Sequence, residues 1–139
     1  MSIADIEAIF AAIGSRPPMG KTVGFDLVEW GDGWAAFEGV PGKHHYNPHG
    51  IVHGGYAATL LDSACGIAVA TVLGDGVSAT TLELKTAYHR AMTDQTGKVR
   101  AEGRVVNVGR RVAYSEAKLT DSEGRLLATA TSTLMVIGS

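Results

Sequence analysis

The residues best suited to chemistry fall close together in the chain. From Asn47 to Asp62 it reads NPHGIVHGGYAATLLD. Gly54 and Gly55 stand where a long apolar run begins. A helix starting there would leave backbone N–H groups unpaired and partly positive. The missing side chains would let a ligand carbonyl approach those groups closely, as an oxyanion site requires. The same glycines would serve a plain loop-to-helix turn equally well. Asp62 is the single charged residue between Gly54 and Leu73. A carboxylate on an apolar helix costs free energy unless it is paired, hydrogen-bonded or wet. It therefore either satisfies a backbone group, faces a solvent gap, or works as a general base or nucleophile.

The spacing adds a constraint. Gly55 and Asp62 are seven residues apart, so about 700° of helix rotation returns them to one face while roughly 10 Å separates them along the axis. One carbonyl cannot be held by Gly55 and attacked through Asp62 of the same helix. If both act, a second subunit running antiparallel about a two-fold axis must complete the site. The expectation is an obligate dimer with two equivalent sites.

The histidines raise a metal question. His45, His49 and His53 recur every fourth residue, with His44 beside them. Pro48 and Gly50 argue against a helix there, and no cysteine or acid completes a zinc set. No metal is expected. Phosphate loops, dinucleotide fingerprints and G-x-S-x-G elbows are absent from the sequence.

The elements that must position these residues follow from periodicity. Ile3, Ile6, Ile9, Phe10 and Ile13 have helical spacing, ended by Gly14 and Pro17-Pro18. From Thr22 the period becomes two, through Val23, Phe25 and Leu27. Gly31-Asp32-Gly33 turns the chain into a partner strand from Trp34 to Val40. Residues 41–50 compose a loop. The stretch 54–73 lacks Lys, Arg and Glu and reads as a buried helix. Its length approaches the roughly 20 residues of a membrane span, but the mid-segment carboxylate and the strand-rich remainder favour a globular core. Strands follow around 82–88, 99–105, 111–120 and 125–137, the last two joined by Asp121-Ser122-Glu123-Gly124, a type I turn pattern. The order is helix, hairpin, long helix, four strands. The class is α+β, with an antiparallel sheet wrapped around one central helix at about 54–73.

The totals agree with one domain over 1–139, residues 1–20 forming an N-terminal helix and connector. At 139 residues the chain can bury a core without disulfides. A formal charge of −2 offers no basic face for nucleic acid. The single cysteine, Cys65, precludes an intrachain disulfide and suits a reducing compartment. The N-terminal run carries Asp5 and Glu7 and lacks a basic start, unlike a signal peptide. A cytoplasmic protein is expected.

The run Asn47…His53-Gly54-Gly55…Asp62 resembles the phenylacetate-degradation type of acyl-CoA thioesterases in the hotdog superfamily. That pattern is an Asn, then HGG, then an acid on the long helix. The likeness spans roughly residues 20 to 137, including the closing VVNVGRRVAYSEAKLTDSEGRLLATATSTL. It implies a hotdog fold, acyl-CoA as substrate, no separate cofactor, and a homodimer or dimer of dimers. It also implies roles. The Gly55 N–H would polarise the thioester carbonyl, and the Asn47 amide would help hold that carbonyl or the water. His53 would shape the loop or touch the thioester. Asp62 of the partner chain would act as base or nucleophile. Thr81 fits the strand hydroxyl that neighbours this carboxylate, with Ser78 and Thr80 as alternatives. Gly109-Arg110-Arg111 falls where CoA phosphates bind, a task that suits the guanidinium fork. One departure is His89-Arg90-Ala91-Met92, where the family usually has Arg-Pro.

Two rival functions use the same fold: a hydratase or dehydratase of acyl thioesters, and a non-catalytic acyl-CoA sensor. For the acyl group, Met19, Phe25, Trp34 and Tyr46 are candidate pocket walls, and core packing would explain each of them equally well.

Overall fold

In the computed structural model, which describes residues 1–138, the apolar run becomes helix α3 (Gly54–Ala70), and the remaining elements are laid around it. Two helices precede it, α1 (Ile3–Ile13) and α2 (Pro18–Val23). So do strands β1 (Phe25–Gly31) and β2 (Trp34–Gly39). Four strands follow: β3 (Ser78–Tyr88), β4 (Val99–Val108), β5 (Val112–Asp121) and β6 (Leu126–Ile137). They form one antiparallel sheet in the order β1-β2-β4-β5-β6-β3. A sheet curled about one long helix is the hotdog arrangement.

The start of the chain differs from its sequence reading. Ser2 and Asp5 close a capping box on α1. Pro17-Pro18 then begins α2 instead of merely ending α1, because proline suits a first helical turn. Val23 therefore lies in a helix, and Gly24, at φ +92°, makes the left-handed turn that releases β1 at Phe25. The long helix is also shorter than 54–73. Thr71 ends it: its hydroxyl donates to Ala68 O at 2.7 Å and accepts the Gly33 N–H at 2.8 Å, docking the β1–β2 turn on the helix end. No helix among the described residues is long and apolar enough to cross a bilayer.

Close approach between α3 and the sheet depends on small residues. A Cβ on Gly103 of β4 would run into the backbone of Ala64 and Cys65. Around that contact Ala57, Leu60, Leu61, Ala64 and Ala68 are buried against Ala101, Ala117, Leu119 and Leu127. Each fully buried leucine contributes roughly 1.5–3 kcal/mol. Along β5 the alternation is strict, with Ala113, Ser115, Ala117 and Leu119 inward and Val112, Tyr114, Glu116 and Lys118 outward.

Candidate active site

The buried residues of α3 occupy one side only. Gly55, Ala58, Thr59, Asp62, Ser63, Gly66 and Ile67 form a half-exposed stripe on the other, which the expectation of an all-round buried helix missed. The stripe's hydroxyls are used locally: Thr59 donates to Gly55 O and Ser63 to Thr59 O, both at 2.8 Å. Such back-bonding satisfies hydroxyls on a helix without a tertiary partner.

Among the described residues Asp62 accepts one hydrogen bond, from the Thr81 hydroxyl at 2.8 Å to Oδ1. Of the three candidate hydroxyls, Thr81 is the one brought to the carboxylate, and a β-bulge explains why. Thr81 pairs with Leu134 and Glu83 with Thr133, so Leu82 is the extra residue. The bulge reverses the alternation. Thr81 thereby shares the inward face with Leu84, whereas unbroken alternation would have turned Thr80 inward. Thr80 is exposed opposite exposed Met135, and Ser78 lies on the rim of the Asp62 cavity.

That cavity holds about 450 Å³ and runs from Asp62 along α3 to Ile9, Phe10 and Ile13 of α1 and to Met19. Of the four suggested pocket walls, Met19 lines this cavity and Tyr46 lines a second one at Gly55, while Phe25 and Trp34 line neither. Phe25 is fully buried against Phe37, ring centroids 5.6 Å apart. Trp34 lies over Gly31 in the hairpin, and Tyr46 donates to Asp94 at 2.6 Å. The α1 residues were overlooked. A signal was present: Ile9 and Ile13, each 39% exposed, belong to a helix richer in apolar residues than one buried stripe needs.

The start of α3 is built differently. His53 is its N-cap, and its Nδ1 accepts the Gly55 N–H at 2.8 Å. The Tyr88 hydroxyl donates to Gly54 O at 2.6 Å, and its ring occupies the space a Gly54 side chain would need. Asn47 Oδ1 accepts the N–H groups of His49 and Ile51 at 3.0 and 3.3 Å. Its amide nitrogen has no partner among the described residues. Gly55, His53 and Thr59 line a second cavity of about 310 Å³ with His44, His45 and Tyr56. Asp62 is not part of it.

Other titratable groups nearby are occupied. Burial lowers the His45 pKa, against the opposing bond of its Nε2 to Val23 O at 2.7 Å; Nδ1 accepts the Gly42 N–H. Burial pushes the Cys65 thiol up to about 11, which makes it a poor nucleophile. It likewise pushes the Tyr56 phenol up to about 12. Among the described residues no three His, Cys, Asp or Glu side chains converge as a metal set. Gly109, Arg110 and Arg111 form the β4–β5 turn, where the Gly109 N–H donates to Val112 O at 2.8 Å. Both arginines are exposed, without ion pairs among the described residues, and line neither cavity.

The sheet wrapped on its central helix defines a hotdog protein. A family profile for the thioesterase superfamily matches residues 49–128, and the chain belongs to that superfamily as a thioester hydrolase. It is 28% identical over 116 residues to 1,4-dihydroxy-2-naphthoyl-CoA hydrolase of Listeria monocytogenes, covering 84% of this chain and 93% of that one. A thioesterase family protein of Silicibacter pomeroyi superposes with a TM-score of 0.83 at 25% identity, covering 96% of each chain. A variant of phenylacetic acid degradation protein PaaI from Thermus thermophilus superposes at 0.77 with 28% identity, covering 86% of this chain and 98% of that one.

Proposed function

We propose that this chain hydrolyses acyl-CoA thioesters to the free acid and CoA, each site combining Asp62 of one subunit with the Gly55 N–H of another. The observation that carries the reading is Asp62 itself, the one charged group on α3, half-buried, held by a single hydroxyl and open to an apolar cavity. As base, it removes a proton from water as the water oxygen bonds to the thioester carbon; the C–S bond then breaks and the CoA sulfur takes the proton. As nucleophile, its oxygen bonds to that carbon while the C–S bond breaks and CoA leaves as the thiolate; water then hydrolyses the mixed anhydride, which releases the acid, restores the Asp62 carboxylate and leaves a proton for the CoA sulfur.

The developing oxyanion needs donors. The Gly55 N–H can serve once the His53 ring, which occupies it at 2.8 Å, turns aside. The Asn47 amide nitrogen is a second donor. Arg110 and Arg111 are exposed cations suited to the phosphates of CoA.

Two features support a site shared between subunits. Gly55 and Asp62 line different cavities of one chain. The strand that carries Thr81 is an edge of the sheet and exposes Leu82 and Tyr88, so its backbone is free to pair with another copy. A complementation experiment tests this. Asp62→Asn and Gly55→Pro each remove one half of the site, proline being tolerated in a first helical turn. Each variant alone should be inactive in a CoA-release assay. Co-refolded as a one-to-one mixture they should recover about a quarter of wild-type activity, because half the dimers are mixed and each has one intact site of two. No recovery from a mixture that forms mixed dimers would refute the shared site.

A further inference from the structure

We propose that Gly66 is a specificity-determining residue: its missing side chain keeps the Asp62 cavity open toward α1, so that the enzyme takes uncharged apolar acyl groups of medium length or aryl size. This rests on the reading of Asp62 given above.

Glycine inside a helix is unfavourable relative to alanine, so a reason for it is to be sought. At Gly54 and Gly103 packing supplies the reason, since a Cβ would strike Tyr88 or the backbone of Ala64. Gly66 has no such reason. Its φ is not positive, and a Cβ built there meets nothing within 4 Å. It lies one turn beyond Asp62 on the same stripe, and both line the one cavity. What the glycine leaves behind is therefore space next to the carboxylate.

The walls say what could fill it. Ile9, Phe10, Ile13, Met19 and Ile67 are apolar, and no Lys, Arg or His lines the cavity. A second carboxylate on the acyl group would meet no cationic side chain there and would be repelled by Asp62. A space of about 450 Å³ beside the carboxylate is of the size that takes a small ligand group such as a medium-length acyl chain or a phenyl ring with its linker.

The test is CoA release from acetyl-, octanoyl-, phenylacetyl- and succinyl-CoA by the full-length protein and by Gly66→Leu, with Gly66→Ala as a milder second variant. In the unsubstituted protein, kcat/KM should favour octanoyl- or phenylacetyl-CoA over succinyl-CoA. Gly66→Leu should lower the octanoyl-to-acetyl ratio of kcat/KM about tenfold or more, a loss of the size expected from crowding an apolar pocket. Gly66→Ala should shift the ratio less, in the same direction. An unchanged ratio, a uniform loss on all acyl groups, or a wild-type preference for succinyl-CoA would overturn the assignment of Gly66 while leaving hydrolysis at Asp62 standing. Silence of the unsubstituted protein on all four thioesters would overturn the hydrolytic reading, and this proposal with it.

Discussion

The two faces of α3 are made from similar small residues and put them to opposite use. On the sheet side, Ala57, Ala64 and Ala68 are small so that the helix can press on Gly103 and the alanines of β4 and β5, and no space remains. On the other side, Ser63 and Gly66 are small and the space is left open, with Asp62 projecting into it, while Gly55 and Thr59 border a second cavity. Small residues by themselves therefore say nothing about packing density. What faces them decides whether a missing side chain closes a contact or opens a site.

The sharpest way to separate the faces is Asp62→Asn. Turnover on acyl-CoA should fall by about 10²–10⁴, the usual contribution of a positioned base. Urea unfolding should move within about 0.5 kcal/mol, as for a substitution outside the core. A comparable loss of stability would mean that the open face is structural after all. Next in size, Gly103→Ala should destabilise by about 1–3 kcal/mol, because the added methyl meets backbone that cannot give way. Gly66→Ala should do the reverse and stabilise by about 0.5–1 kcal/mol, since the methyl points into open space and the helix gains a better former. Denaturation curves in which both alanines shift in the same direction would erase the contrast.

The smallest effect concerns the segment that roofs the open face. The connector after α1 is tied to β1 by Asp26, which accepts hydrogen bonds from Ser15 Oγ at 2.6 Å and from Arg16 Nε at 3.0 Å. The Arg16 bond, then the Ser15 bond, hold the Asp26 carboxyl below its usual range. A carboxyl lowered in the folded state stabilises above its unfolded pKa of roughly 3.9, and that contribution is lost as pH falls through the folded value. Thermal unfolding of the wild type and Asp26→Asn should therefore differ slightly near neutrality and converge in acid. The group is partly exposed and salt will weaken the effect.

Much of this was legible in the chain itself. The apolar run with one acid announced α3 and Asp62, and period-two alternation announced most strands. The Asp121–Gly124 turn formed as its residues demand, with the Gly124 N–H donating to Asp121 O at 3.0 Å and φ of +79° at Gly124. The difficulties were all places where distant partners decide. Pro17-Pro18 can end one helix or begin another, and Gly24 together with the docking of β1 settles which. The hydroxyl beside Asp62 could not be chosen among Ser78, Thr80 and Thr81, because the bulge at Leu82 exists only in the pairing of β3 with β6. Phe25 and Trp34 are large and apolar like any pocket wall, yet long-range packing made one core and the other hairpin.

What the sequence by itself determined is the helical spacing of Gly55 and Asp62: seven residues on a helix mean one face and about 10 Å, whatever surrounds them. It also determined that the helix carries a single charge, and that a glycine stands one turn beyond it. Only the tertiary structure decided that β3 lies at the sheet edge beside that charge, that Thr81 is the residue turned toward it, and that α1 roofs the cavity it opens into. The physical reason is range. Helix geometry is set by bonds between near neighbours, whereas strand order, bulges and cavity walls arise from contacts between segments that the chain brings together only by folding.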